Sequence, residues 1–436
     1  MPERKKRLLV VLGAGSSLAQ DMPSVAEDRF SAVAGRPAIP SLNSSMKTWG
    51  REWSAHHQFP NYFEAVWNAV DQYYHSSTRT MNPAHQPQVN YERVLGEMLE
   101  LAHWMEPPPF GNAFRQIATA NAAPRELIFP FFDEEHRYAA TVGITDQLTY
   151  LLQRLAGDMR ERCHQIDVTA PSFRAYKKLL DGLLGEFDVG IYNLNYDNVA
   201  LRAWPRAFTG FTLDGAFSPS IVHKRSQWGF VYQLHGSVHN TLERESGSSI
   251  RWQADLGAQF FDGHQGLATD RRSEGKAFPT STLITGGFKL DQLLVEPFQS
   301  LYATLVRHAY EADAILIGGY GFSDPHINRP LQNRMKGAAE RREPRPPLMI
   351  LDWFADKNPH VIRDDLWSSE MCNTLGTNQW FFHNSADSEI TLRPEQLHRE
   401  FRINPTHRAA FWAGGFIEAA AHLDMIVPWL DGETDG

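Results

Sequence analysis

The sequence predicts an α/β fold, a largely parallel sheet flanked by helices with a large helical insertion after the first strand. Apolar runs of strand length are few, widely spaced and continuous rather than alternating, as strands buried on both faces are. Several end in a glycine or a polar cluster, where ligands bind beyond the carboxyl ends of parallel strands. Between the first run and the second lie about 175 residues of helical pattern, too many for an ordinary crossover. A Rossmann-like sheet interrupted by a helical module accounts for all three observations.

In chain order the strands fall at Leu8–Leu12, Val189–Asn193, Phe230–Leu234, Ala314–Gly318 and Leu348–Asp352, with a further one at Gln379–Phe382. Within the insertion, Asn61 is placed to cap a helix whose buried stripe is Phe63, Val66, Trp67 and Val70. Asn90 starts another, with Tyr91, Val94, Leu95, Met98 and Ala102 on its apolar face and Pro107–Pro109 as its stop. Further helices fit Thr145–Met159 and Ser172–Leu184. Thr241–Pro279 is polar and glycine-rich without a clear period, and reads as a long loop with short strands. Arg408–Leu423 reads as a closing helix. The loose echo between "NYFEAVWNAV" and "NYERVLGEML" is explained by shared caps and amphipathicity, so it marks no repeat. These elements predict a discontinuous core, 1–25 with 186–390, a helical insertion, 26–185, and a helical C-terminal segment, 391–436.

Composition narrows the function. A chain of 436 residues with 42% hydrophobic composition can bury the core of one large or two modest domains. No apolar stretch reaches the roughly 18 residues of a membrane span, and no cleavage pattern follows the short run behind "PERKKR". The chain therefore reads as cytoplasmic. A net charge of −9 argues against direct nucleic-acid binding as its main task. The basic run "RMKGAAERREPRPP" reads as a solvated helix end and loop, and Trp353, Trp367, Trp380 and Trp412 as core or interface residues. Two isolated cysteines, Cys163 and Cys372, exclude a disulfide framework and a zinc ribbon built from two cysteine pairs.

Four polar turns carry the candidate chemistry. "LLVVLGAGSS" runs from a strand into Gly13-Ala14-Gly15, a loop whose N–H groups, at a helix start, would face a phosphate. Leu18 stands where a dehydrogenase fingerprint has its third glycine, and no ribose-binding acid follows about 20 residues later, so a hydride-transfer cofactor is disfavoured. "VGIYNLNYDNVA" ends in Asn195-Tyr196-Asp197, and "VYQLHGSVH" ends at His235-Gly236. "AILIGGYGFSDPHINRPL" opens into Gly318, Gly319 and Gly321 before Ser323-Asp324-Pro325, a good helix start. His235 and His239 have ligand chemistry, but the pair follows a strand, contains Gly236 and lacks an obvious third ligand, so no metal is predicted.

In this order, Gly-Ala-Gly-x-Ser, Asn-Tyr-Asp, Leu-His-Gly and Gly-Tyr-x-Phe-Ser-Asp, the turns resemble those of the sirtuin (Sir2) superfamily. They look most like its sirtuin-like branch in bacterial antiphage defence systems. The resemblance covers Leu8–Val25 and Glu186–Pro359. It implies that NAD is the substrate, with Gly13, Ala14, Gly15 and Ser17 on the pyrophosphate. Asn195 and Asp197 would lie at the nicotinamide and its ribose, and His235 would be the general base. Gly318, Ser323 and Asp324 would contact the adenosine side, and Asp352 an adenine-ribose hydroxyl.

Two departures from the protein-deacylating members bear on the reaction. Their four-cysteine zinc module cannot be built from two distant cysteines, and Asp21-Met22-Pro23-Ser24-Val25 replaces their Gly-Ile-Pro-x-Phe-Arg. Without a peptide groove, water becomes the acceptor and the chain an NAD glycohydrolase, releasing nicotinamide and ADP-ribose. Such an activity is toxic unless gated, so the resemblance implies a homo-oligomer and a separately encoded partner, such as a hexameric DNA-translocating ATPase or a nucleic-acid-guided protein. Two alternatives remain open: a deacylase or ADP-ribosyltransferase acting on protein, and a module that senses NAD or ADP-ribose without turnover.

Overall fold

The computed structural model describes residues 4–31, 37–77, 86–105, 137–243, 249–261, 281–286, 289–340, 344–353, 366–375, 383–384, 401–404 and 407–432. β1 (Arg7–Leu12) is buried from Leu8 onward, on both faces. It pairs in parallel with β2 (Asp188–Asn193) through Arg7↔Asp188 to Leu12↔Asn193, and β2 pairs in parallel with β3 (Phe230–Gln233). A separate antiparallel pair, β4 (Asn240–Leu242) with β5 (Ile250–Trp252), occupies part of the segment expected as a long loop. The other edge of β1 pairs in parallel with β6 (Ala314–Gly318), which pairs with β7 (Leu348–Leu351). β8 (His383–Asn384), β9 (Phe401–Asn404) and β10 (Ala409–Trp412) complete the sheet, β10 parallel to β7, and β9 antiparallel to both β10 and β8.

The resulting order is β3-β2-β1-β6-β7-β10-β9-β8. Its first six strands follow the doubly wound 3-2-1-4-5-6 order of a Rossmann-like sheet. One face packs Leu9, Val11, Tyr192, Ile315, Ile317, Ile350 and Phe411 into a continuous apolar cluster with Leu301 and Leu305 of the helix Phe298–Glu311. A polar chain crosses this core. Arg307 donates to His308 Nε2 at 3.1 Å, which leaves the ring proton on Nδ1 to be donated to Tyr192 Oη at 2.8 Å; Tyr192 donates onward to Thr304 at 3.2 Å. Burial, then Arg307 and Arg7, pull the His308 pKa down to about 3, so the ring is neutral.

The closing helix expected at Arg408–Leu423 is not formed. Ala409–Trp412 is a fully buried strand, a 3-10 turn spans Glu418–Ala421, and the helix comes later, at Leu423–Asp431. Two alanines and two aromatics in a row suit a strand buried on both faces, and pairing with β7 overrides their helical propensity. Residues 391–436, expected as helical, thus contribute two strands to the sheet. The strand expected at Gln379–Phe382 and the helix stop at Pro107–Pro109 lie outside the described residues, as do Trp380 and part of the basic run after Arg334.

The chain divides into two compact units. The first comprises Met1–Met22, Arg162–Ser237 and Val295–Gly436, and holds the eight-stranded sheet. The helix Pro171–Glu186, expected in the insertion, falls in this unit. The second comprises Pro23–Glu161 and Val238–Leu294 and contains the helices Leu42–His57, Tyr62–Ser77 and Tyr91–Met105. Asn61 and Asn90 cap as the sequence predicts, accepting from the N–H groups of Glu64 and Arg93 at 3.3 and 2.9 Å. A buried amide, Gln147, joins three helices by accepting from the Phe63 N–H and donating to Gly50 O and Asn61 Oδ1. Arg160 is also buried, and its guanidinium donates to the carbonyls of Val238, Asp255 and Leu256, fixing the chain around β5. Among the described residues, no helix is long and apolar enough to cross a membrane.

Candidate active site

The strand order reverses at β1, so the crevice of this sheet lies past the carboxyl ends of β1 and β6. There the loop after β1 and the turn after β6 touch backbone to backbone. Gly13 N–H donates to Gly318 O and Gly15 N–H to Gly319 O, both at 2.9 Å. A side chain on Gly13 would place Cβ 2.6 Å from Gly319 O, and one on Gly15 would place it 2.8 Å from Gly319 Cα. Gly319 itself sits at φ +59, in the left-handed region. Close packing of two loops therefore accounts for all three glycines. Gly318 is small for another reason: a Cβ there would lie 2.5 Å from the Phe416 ring.

The loop departs from the sequence expectation in one respect. Ser16 N–H bonds back to Gly13 O at 3.0 Å and Ser17 N–H to Ala14 O at 3.2 Å, forming a 3-10 turn followed by a second at Leu18–Gln20. No α-helix starts here. The N–H groups of Gly13, Gly15, Ser16 and Ser17 are all occupied by protein carbonyls, and Ala14 is the exposed member of the loop.

The turn after β2 is stitched to this loop by side chains. Asn195 Nδ2 donates to Gly13 O at 2.9 Å and to the hydroxyls of Ser17 and Ser16 at 3.2 and 3.3 Å. Ser17 Oγ donates to Asp197 Oδ2 at 2.6 Å, and Asp197 Oδ1 accepts the Val199 N–H at 3.0 Å, holding the start of the short helix Val199–Ala203. Burial pushes the Asp197 carboxyl above the ordinary carboxylate range, against the Ser17 and Val199 bonds that favour its charged form. Asn193 and Gln233, the last residues of β2 and β3, both donate to the Asp197 carbonyl, at 3.3 and 3.0 Å.

His235 follows β3, with Gly236 beyond it at φ +89. Its Nε2 lies 3.1 Å from Nε2 of His326, in the first turn of the helix Pro325–Glu340. One of these nitrogens must donate and the other accept. The Asp324 carboxylate joins them: one ligand-type atom from each of His235, Asp324 and His326 lies within 4.8 Å of the others, and all three residues are buried. Asp324, placed by sequence with the adenosine side, stands beside the expected general base. The β6 turn is held by Tyr320, which donates to Asn328 at 2.8 Å, while Asn328 donates to Phe322 O at 2.7 Å. Ser323 is exposed and lines a cleft of about 450 Å³ together with Gly321, Asn328, Arg329, Trp367 and Glu370. None of Gly13, Ala14, Gly15, Ser17, Asn195, Asp197 and His235 lines that cleft. Asp352, half-buried just past β7, accepts the Trp353 N–H at 2.8 Å.

Contacts thus close into a ring: Gly15 to Gly319, the β6 turn to Asp324 and His326, His326 to His235, β3 through Gln233 to Asp197, and Asp197 to Ser17. One member, His326, and one neighbour of the loop, Gln20, escaped sequence reasoning. His326 sits in what reads as an ordinary amphipathic helix start. Gln20, buried three residues past Ser17, has neither end of its amide hydrogen-bonded among the described residues, and no motif marks it. His239, weighed with His235 from sequence, stacks on Trp252 with centroids 4.5 Å apart.

A doubly wound, mostly parallel sheet with polar turns gathered at its switch point is a Rossmann-like α/β architecture. More particularly, residues 189–371 match the family model described as a SIR2-like domain, from β2 into the helix Leu366–Leu375 and without the β1 loop. No curated protein matches the chain. Solved structures similar to it include a Sir2 homologue in complex with NAD, at 13% identity over 81% of this chain and 80% of that one, TM-score 0.34. Others are a mutant Sir2 homologue with 2'-O-acetyl ADP-ribose, at 12% identity and TM-score 0.32, and one with ADP-ribose, at 11% and 0.31, each covering 80% of both chains.

Proposed function

We propose that the chain cleaves the nicotinamide–ribose bond of NAD with water, giving nicotinamide, ADP-ribose and a proton. The observation that carries this reading is the ring of four turns, which gathers Asn195, Asp197 and His235 around the switch point of a sheet containing a SIR2-like segment. Cleavage passes through an oxocarbenium-like ribose, so the protein must hold the sugar, place a water at the anomeric carbon and take the water's proton. Asn195, half-buried and fixed against Gly13, orients the ribose hydroxyls or the water. His235 takes the proton, for which a neutral imidazole is suited near pH 7. Asp197, anchored by Ser17 and Val199, holds the neighbouring groups and the nicotinamide amide in register.

The Gly13–Ser17 loop lies against the pyrophosphate, with exposed Ala14 as its foremost point, while Gly318, Ser323 and Asp352 serve the adenosine side. The β6 turn brings Asp324 to the base instead. The four-cysteine zinc module of deacylating sirtuins has no counterpart here, since Cys163 and Cys372 are the only cysteines, which supports water over an acyl-lysine as acceptor. In its biological setting the chain acts as a gated, NAD-depleting effector of antiphage defence, assembled as a homo-oligomer with a separately encoded partner.

The test is incubation of the purified chain with NAD, alone and with the products of neighbouring genes, following nicotinamide and ADP-ribose. Asn195→Ala and His235→Ala each lower the rate by about 10²-fold or more. Unchanged rates in both would reject the assignment. Label from NAD appearing on protein would replace hydrolysis by transfer.

A further inference from the structure

We propose that His235, Asp324 and His326 form a site for one divalent transition-metal ion of the zinc type, whose occupancy sequesters the His235 imidazole and holds NAD cleavage off. The binding half stands on geometry alone, and the inhibitory half rests on His235 being the base. Two imidazoles and a carboxylate are a donor set for zinc, cobalt and related ions, and three protein ligands leave a fourth position to water.

The dimensions fit. With metal–nitrogen bonds of about 2.0–2.1 Å, a tetrahedral ion sets two nitrogens about 3.3 Å apart. The His235 and His326 Nε2 atoms are already 3.1 Å apart. All three ligand-type atoms lie within 4.8 Å of one another, so the carboxylate closes by no more than about 1.5 Å to complete the set. The supports are firm. His235 leaves the end of β3, and Asp324 and His326 flank Pro325 in a turn braced by Tyr320 and Asn328. Exposures of 4%, 8% and 6% for His235, Asp324 and His326 keep competing water to a minimum.

Sequence gives no hint of the set because it pairs His235 with His239. The fold brings in two ligands from about 90 residues downstream instead. The same contact makes metal and proton rivals. At 3.1 Å the two Nε2 atoms share one hydrogen, and a metal takes that place once the donating ring shifts its proton to Nδ1. A neutral imidazole has a single lone pair, so a metal-bound His235 has none left to accept a proton from water.

The experiment uses the full chain, stripped with EDTA and dialysed, then titrated with Co²⁺ alone and with Zn²⁺ alone. The expected result is one Co²⁺ per chain with the visible absorption of a low-coordinate ion, displaced by Zn²⁺. His326→Ala and Asp324→Asn each weaken binding by at least about tenfold, whereas His239→Ala binds as the parent does. His326→Gln replaces the alanine variant if thermal melting shows that the latter fails to fold. In the NAD assay, filling the site with Zn²⁺ suppresses nicotinamide release and EDTA restores it. Absence of stoichiometric Co²⁺, or binding unaffected in both ligand variants, overturns the site. Those outcomes leave the hydrolase reading intact, provided that the stripped chain still cleaves NAD. Stimulation by bound Zn²⁺ overturns the inhibitory half and removes His235 from the role of base.

Discussion

Ser17 donates its hydroxyl to Asp197 Oδ2 across 2.6 Å, joining the loop after the first strand to the turn after the second over 180 positions of sequence. The carboxylate also anchors the Val199 N–H, so removing it leaves that buried donor without its acceptor and Ser17 Oγ with only a long contact to Ala14 O, at 3.5 Å. Asp197→Ala is expected to lower stability by roughly 2–4 kcal/mol, and Asp197→Asn, which keeps one carbonyl acceptor, by less. Urea unfolding of the three proteins measures the difference, and equal losses would show that the acceptor is not what matters.

Core polarity gives the chain a pH dependence with a defined sign. His308 is held neutral in the folded chain down to about pH 3, against 6.5 for a free imidazole. Between those values the unfolded chain binds a proton that the folded chain does not, so stability falls as pH drops through that window. Above pH 6.5 the effect vanishes. In His308→Phe the loss from this residue disappears, flattening the stability curve below pH 6.5 by up to about 1.4 kcal/mol per pH unit relative to the parent. Urea midpoints taken from pH 7 to pH 4 check this, and parallel curves would contradict it.

The two loops at the switch point leave no room for a methyl group. In Gly13→Ala the new Cβ meets Gly319 O and Tyr320 Cα at 2.6 and 2.7 Å, both backbone atoms that cannot swing aside. The variant is expected to lose at least about 2 kcal/mol, with a lower melting temperature and weaker NAD-induced stabilisation. Gly157→Ala meets nothing within 4 Å and lies mid-helix, so it should match or exceed the parent in stability.

Gln20 carries a stability cost that a substitution can remove. Among the described residues its buried amide has neither end bonded, a cost that a leucine of similar size avoids. Gln20→Leu is expected to raise the melting temperature by a few degrees, equivalent to roughly 1 kcal/mol. A destabilised Gln20→Leu would mean that the amide finds partners in the folded chain.

The parts of this fold that were legible in sequence are those fixed by local composition. β1, β2, β3, β6 and β7 announce themselves as continuous apolar runs because both faces are covered. β9 does not, since Arg402 and Asn404 are polar yet buried, and their environment is supplied by strands that sequence cannot place. β10 reads as helix because Ala409 and Ala410 favour helix locally, and only pairing with β7 decides otherwise.

At the candidate site, the placing of Asn195, Asp197, His235 and Asp324 just past buried strands was legible because the sheet itself sets it, but not that Asp324 stands beside His235 rather than on the far side of the crevice. The glycines were recognised as necessary, but their cause differs: backbone packing of Gly13 and Gly15 on Gly319 takes up N–H groups that sequence reasoning assigned to a phosphate. His326 escaped because its value depends on a ring 91 positions away.

The central place of β1 also governs how the chain comes into being. Arg7 pairs with Asp188, and Leu8 with Ala314, so β1 is synthesised before either neighbour and waits for both. At about 5–20 residues per second, the interval before Ala314 emerges is roughly 15–60 s. Throughout it, "LLVVL" is a bare apolar edge on a nascent chain, exposed to premature pairing with other chains until the sheet can close around it.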